Sequence, residues 1–241
     1  MIKKVTDNIN LSGVSSPLLP LIYCDFTYNS GDTEGVCFQY NENDEITSVF
    51  SLKNGCITLA RVKDADLSEL SMFFDFLGVS EIISDYPLDD SFEKIPLLET
   101  TARYENTSDV SFLLETSKLS EYLGVYNLLN DSEGEFPRWY SNFSKKINYD
   151  VACGVYKVYD DSIVSTVTAT AIYDKTAIIS GVFTNPLYRG KGYASRCVKA
   201  VINQLCKKNV EKVYLWCEED KIPFYEKLGF KFMGQIYLRK V

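Results

Sequence analysis

Residues 181–202 read GVFTNPLYRGKGYASRCVKAVI, and this stretch decides how the chain is read. It runs from a strand into Arg189-Gly190-Lys191-Gly192-Tyr193-Ala194 and directly on into an amphipathic helix, expected over Ala194–Lys207. Val198, Val201, Ile202 and Leu205 fall on one face of that helix, at the 3.6-residue period. Glycines at 190 and 192 let the backbone turn tightly and bring its N–H groups close to a ligand. The first helical turn adds N–H donors without intrahelical partners and the positive end of the helix dipole. Such a turn suits phosphate or pyrophosphate. Each charge-assisted hydrogen bond contributes about 1.5–3 kcal/mol, and Arg189, Lys191 and Arg196 supply charge nearby.

The spacing excludes two common nucleotide loops. A Walker loop needs GxxxxGK followed by Ser or Thr, which is not present here. A dinucleotide fold needs GxGxxG after the first strand of a βαβ unit. Here the loop follows three meandering strands, expected at Val151–Tyr159, Ser162–Tyr173 and Thr176–Phe183, with turns at Asp160-Asp161 and Asp174-Lys175. Upstream, Asp109–Glu115 reads as a strand. Ser117–Leu129 reads as a helix with Ser117 as N-cap, and a second helix lies near Arg138–Ile147. Downstream come a strand at Val210–Cys217, a short helix at Pro223–Leu228 ending at Gly229, and a last strand at Phe230–Arg239.

Residues 1–105 echo this plan more weakly. Strands are expected at Gly35–Tyr40, Glu45–Ser51 and Gly55–Arg61, then a helix at Asp66–Leu77 capped by Asp64 or Asp66, then a strand at Glu81–Ser84. The link from third strand to helix is ARVKDAD, with no glycine. An unrelated α+β cap is the alternative to a degenerate repeat. Charge divides the same way. Residues 1–105 carry 7 basic and 18 acidic side chains, a charge of −11, and residues 106–241 carry 18 and 15, a charge of +3. We therefore expect two domains, 1–105 and 106–241, with the boundary near Leu98–Ser108.

Composition narrows the chemistry. The 241 residues contain no histidine, which excludes Ser-His-Asp and Cys-His catalysis, histidine general bases and the usual zinc and iron ligand sets. The seven cysteines form no CxxC pair and are odd in number, so neither a disulfide framework nor a zinc knuckle is indicated. A net charge of −8 argues against broad nucleic-acid binding. No apolar run approaches the roughly 18 residues of a membrane span, and MIKKVTDNINLSG has no apolar stretch behind its lysines. A cytoplasmic protein, without metal, membrane or nucleic-acid partner, is the expectation.

The pattern R-x-x-G-x-A at Arg189, Gly192 and Ala194, preceded by a strand and Thr184-Asn185-Pro186, resembles the GNAT acetyltransferase superfamily. So does Phe224-Tyr225-Glu226-Lys227-Leu228-Gly229-Phe230 downstream. The resemblance covers residues 109–241. It implies an α+β fold, with a GNAT-like mixed sheet flanked by helices in the C-terminal domain and a smaller degenerate GNAT-like N-terminal domain without a phosphate loop. It further implies acetyl-CoA as co-substrate, held by the backbone of Val182 and Thr184 along the pantetheine arm. Backbone amides of Arg189, Gly190, Lys191, Gly192, Tyr193 and Ala194 would hold its pyrophosphate, with Ser195 next in line. Tyr225 would be the catalytic acid beside the CoA sulfur. The acceptor would be a small-molecule amine.

Those roles make chemical sense, since a neutral tyrosine of reference pKa about 10 can protonate a leaving thiolate of pKa near 8.5. Amides near Val182–Phe183 could polarise the thioester carbonyl. For the base, Glu115, Glu218 and Glu219 are candidates, with solvated surface charges the competing reading. Cys217, at a strand end, is a conceivable nucleophile, with packing as its alternative. Where relatives often carry asparagine before the tyrosine helix, this chain has Cys217-Glu218-Glu219-Asp220. Trp139 and Tyr140 are candidates for the acceptor pocket or for core. Met72, Phe73, Phe74 and Phe76 read as core, and Asp85–Glu93 as a solvated face or a lure for a cationic acceptor. A non-catalytic acyl-CoA sensor and a transferase of longer acyl chains are the alternative functions.

Overall fold

The computed structural model describes residues 1–5, 11, 13–27, 33–103, 112–130 and 134–240. Its first elements are β1 (Ile2–Lys4), α1 (Leu19–Thr27), β2 (Thr33–Tyr40), β3 (Ile46–Lys53), β4 (Cys56–Arg61), α2 (Leu67–Leu77), β5 (Glu81–Ser84) and β6 (Glu93–Thr101). There follow β7 (Phe112–Leu113), α3 (Leu119–Leu129), α4 (Phe136–Asn148), β8 (Cys153–Tyr159), β9 (Ser162–Tyr173) and β10 (Thr176–Thr184). The chain then forms α5 (Tyr193–Lys207), β11 (Lys212–Trp216), α6 (Ile222–Glu226) and β12 (Lys231–Lys240).

These elements fall into two compact units. The first joins Met1–Leu98 to Trp216–Ile222 and Phe232–Val241, and the second joins Glu99–Leu215 to Pro223–Lys231. The cut expected at 105/106 lies outside the described residues, as does the start of the strand expected at Asp109–Glu115. The chain also returns to its first unit at the end. Strand β12 was expected to close the second half, but it pairs antiparallel with β5, from Tyr237 opposite Ser84 to Lys240 opposite Glu81. This pairing covers the edge of β5 that β4 leaves open.

In the first unit the strand order is β1-β2-β3-β4-β5-β12-β6. Strands β2, β3 and β4 pair antiparallel, and β4 pairs parallel with β5 across α2. Asp66 caps α2 by accepting the Glu69 N–H at 3.0 Å, and Gly78 at φ 62° ends it. Phe50, Leu59, Leu70, Phe74 and Ile82 make the core, with the Phe50 and Phe74 rings edge to face at 5.0 Å. Phe73 packs against that core, but Met72 is 67% and Phe76 85% exposed. Both lie on the face of α2 opposite Leu70 and Phe74, so the core expected of them is a solvent face.

In the second unit the order is β11-β10-β9-β8-β7. Strands β8, β9 and β10 pair antiparallel, and β10 pairs parallel with β11 across α5. Both units thus contain a run of three antiparallel strands, a helix and a parallel strand, with the same pairing senses. Ser117 does not cap α3. Its hydroxyl reaches back to the Leu113 carbonyl at 2.7 Å and the Tyr156 hydroxyl at 3.1 Å, and Lys118 stands at the N-cap instead. Tyr122, Val125, Phe143 and Ile147 pack α3 and α4 onto Leu114, Ala152 and Tyr156.

Candidate functional site

The site begins where two parallel strands part. Strands β10 and β11 are paired from Thr176–Lys212 to Ile178–Tyr214, after which β10 continues to Thr184 on its own. On its other edge β10 bulges: Ser180 sits opposite Thr168 and Phe183 opposite Thr166, so three steps on one strand match two on the other. Gly181 makes this possible at φ 57°, because a Cβ there would stand 2.7 Å from the Thr168 hydroxyl. Val182 therefore has no residue opposite it in either register, beside the opening. Thr184 is less open, since its carbonyl accepts Arg189 Nε at 3.1 Å and its hydroxyl meets Ser165 at 2.8 Å. That carbonyl keeps a second lone pair.

The loop from Arg189 to Ser195 is held by its own cations. Asn185 starts the turn, its side-chain oxygen accepting the Leu187 N–H at 3.0 Å. Arg189 folds back on the strand end, its guanidinium 5.8 Å from the Phe183 ring centre. Lys191 places Nζ over two rings, 5.4 Å from Tyr159 and 5.1 Å from Tyr188. Arg196 donates to the carbonyls of Lys191 at 2.6 Å and Gly192 at 3.3 Å. With the Lys191 and Gly192 carbonyls tied down in this way, the loop turns N–H groups outward from Gly190 on; the Arg189 N–H, expected to join them, instead donates to the Pro186 carbonyl at 3.3 Å and closes the turn before the loop. Gly192 is the N-cap of α5 at φ 76°, and no side chain caps the helix. Tyr193, Ala194 and Ser195 are its first turn, so all the expected loop residues, Gly190 included, come together at one helix start.

Tyr225 lies on α6 and is 8% exposed, its ring edge-on to Phe224 at 4.9 Å and Phe230 at 5.7 Å. The turn beyond it is closed by the Leu228 and Phe230 N–H groups, both donating to the Tyr225 carbonyl, with Gly229 at φ 88°. The motif thus fixes the ring by packing on both sides.

Residues 120–230 match the model of the Acetyltransferase (GNAT) family. They form a GNAT-family domain. The parted strands, the uncapped glycine start of α5 and the packed Tyr225 are all parts of it. No curated protein sequence matches the chain. Among solved structures, a GCN5-related N-acetyltransferase from Kribbella flavida is 14% identical over 80% of this chain and 85% of its own, with a TM-score of 0.59. A GNAT-family acetyltransferase from Colwellia psychrerythraea is 11% identical over 100% and 99%, at 0.58. A tandem GNAT protein of the clavulanic acid biosynthesis pathway is 10% identical over 95% and 90%, also at 0.58. At such identities the likeness is one of fold.

Other candidates separate by their surroundings. Within the GNAT domain, Trp139 and Tyr140 pack into an aromatic cluster, Trp139 at 5.2 Å from Phe143 and Tyr140 at 5.0 Å from Tyr122. Just ahead of the domain, Glu115 pairs with Lys208 at 3.2 Å, and Asp150 pairs with the same ammonium. Glu218 and Glu219 are exposed and group with the first unit, Glu218 lying 3.8 Å from Lys221. Cys217 is half-buried. Burial, then Asp220 and Glu218, push its thiol up, so it is held as a poor nucleophile. Among the described residues there is no cluster of three metal-ligating side chains, and no helix is long and apolar enough to cross a membrane. Tyr159 and Tyr188, the seat of Lys191, escaped the sequence reading, because only strand pairing brings β8 to the loop.

Proposed function

We propose that the GNAT domain transfers the acetyl group of acetyl-CoA to a primary amine of a small molecule, by direct attack and without a covalent enzyme intermediate. The uncapped, glycine-opened start of α5 beside the parting of β10 and β11 carries this reading. A pyrophosphate at Gly190–Ser195 would leave the pantetheine arm to run along Val182 and Thr184, toward the strand opening. Acetyl-CoA would supply the activated thioester. Amides at Val182 and Phe183 would polarise its carbonyl, and Tyr225 would protonate the departing thiolate while the amine loses its proton to solvent or a carboxylate. The first unit has no such loop and binds no CoA in this reading. The tandem GNAT neighbour supports taking it as a degenerate GNAT-like unit.

The test pairs acetyl-CoA titration of the intact protein with CoA release on a panel of amines. Tyr225→Phe is expected to lower kcat about 100-fold or more, within the usual range for a general acid, while the acetyl-CoA Kd moves less than about threefold. Binding without CoA release on any amine would overturn the catalytic reading, and no binding would overturn both.

A further inference from the structure

In the first unit the ends of β4 and β5 border a cavity of about 500 Å³. Arg61 reaches it from β4, Asp85 and Tyr86 from just after β5, Leu97 from β6, and Met233 and Tyr237 from β12. The last two stand an even number of residues apart, on one face of their strand. The size is that of a small-molecule pocket, and so is the make-up, apolar walls with a few polar groups. Of the residues that line it, Arg61 and Asp85 alone are charged.

Neither charge is fully matched. The Asp85 carboxylate accepts the Arg61 N–H at 3.0 Å, its own N–H and the Ser16 hydroxyl, which leaves it a free lone pair. Among the described residues it forms no salt bridge, and burial raises its carboxyl for want of a close counter-ion. Arg61 donates through Nε to the Lys63 carbonyl at 3.0 Å and through Nη2 to Asp64 at 2.8 Å. Its Nη1 has no partner among the described residues, and the fully exposed Asp64 holds the guanidinium only weakly. Between the two charges the Tyr86 ring is fixed in place. Its hydroxyl meets Ser48 at 3.2 Å and Ser48 meets Gln39 at 3.4 Å, all three side chains being buried.

A lone anion drawn to Arg61 would meet Asp85, and a lone cation drawn to Asp85 would meet Arg61. A ligand that carries both charges side by side escapes both repulsions. Its carboxylate takes Nη1 of Arg61 and its ammonium takes the free lone pair of Asp85. Leu97, Met233 and the two tyrosine rings are left for an apolar body. We propose that this cavity binds an α-amino acid with an apolar side chain. The site belongs to the first unit and stands whether or not the loop of the second unit holds acetyl-CoA.

The experiment titrates the intact protein by calorimetry with L-leucine, glycine, 3-methylbutylamine and 4-methylpentanoate. L-leucine is expected to bind one-to-one. The amine lacks the carboxylate and the acid lacks the ammonium, so each should bind about tenfold or more weakly than L-leucine, for one lost charge-assisted bond. Glycine, without the apolar body, should fall by about tenfold or more as well. Arg61→Gln is expected to bring L-leucine down to the level of the amine, and Asp85→Asn to the level of the acid. Arg61 is exposed and Asp85→Asn keeps an acceptor, so both variants are expected to fold, which circular dichroism checks. If either variant fails to fold, the ligand series on the wild type still decides the charge pattern. No L-leucine binding at about 10 mM, or a half-ligand as tight as L-leucine, would overturn the proposal. So would an L-leucine affinity unchanged in either folded variant, which would place the amino acid at another site.

Discussion

Helix α2 starts at Asp66 and helix α5 at Gly192, in two runs of the same strand order, and the two starts differ in what fills them. In the first unit Asp66 accepts the Glu69 N–H, while the Glu69 carboxylate accepts Gln39 Nε2 at 2.8 Å and the Met1 ammonium at 2.9 Å. A phosphate there would meet the Asp66 carboxylate already seated on the helix start, a like charge that repels it. The strand ends are also closed. Beyond the four β4–β5 pairs, the Arg61 N–H donates to Asp85 Oδ1 at 3.0 Å, and the Asp85 N–H to the Leu59 carbonyl at 3.4 Å. In the second unit no side chain caps the helix start, and the strands part after three pairs. A shared topology therefore does not make a shared site; the residue at the helix N-cap and the length of the parallel ladder do.

The sharpest way to break this contrast is to give α5 the cap that α2 has. Gly192→Asp is expected to weaken acetyl-CoA binding about 100-fold or more by calorimetry, with the fold kept, since aspartate tolerates a positive φ better than most residues. An unchanged Kd would mean that the helix start does not hold the anion. Removing the latch that turns the loop carbonyls away is milder: Arg196→Ala is expected to weaken binding about tenfold, and an effect below twofold would reduce Arg196 to a surface charge. On the other side, Asp66→Ala costs about 1 kcal/mol as a lost cap, lowering Tm by about 2–4 °C. The acetyl-CoA stoichiometry should stay at one, and a second binding event would show that the first unit had only been plugged.

The smallest effect concerns the closed strand end. Burial raises the Asp85 carboxyl above the ordinary aspartate range, against hydrogen bonds from Ser16 and the Arg61 backbone. A carboxyl whose folded pKa is raised contributes stability that is full below its unfolded pKa near 3.9 and is lost as pH climbs through the folded value. Asp85→Asn keeps an acceptor without the charge. It should therefore melt slightly above the wild type at pH 7 and lose that advantage near pH 3. An advantage equal at both pH values would place its origin in packing.

Much of this was legible in the residues. Strands β5 and β9 fall on their expected limits, and β10, α5 and β4 lie within about a residue of theirs. Their alternation and glycine punctuation are local signals, and so is the loop itself. Three elements, β1, α1 and β6, went unread. Strand β6 begins beside Asp89, Asp90 and Glu93 and contains Pro96, so its local composition speaks for a turn. The place of β12 was illegible for another reason, since an alternating strand does not state which edge it will join. Within the site, the glycines announced the turn into α5, whereas the seating of Lys191 on Tyr159 and Tyr188 depends on pairing across two strands.

That β12 completes a sheet begun by β1 to β5 has a consequence for biosynthesis. The first unit is made first, yet it waits with the β5 edge bare until the entire second unit has been translated. During that interval an exposed strand edge is available to other nascent chains, to chaperones and to proteases. Maturation of the two units is thus linked in time: the amino-terminal one cannot finish before the acyltransferase fold has emerged from the ribosome.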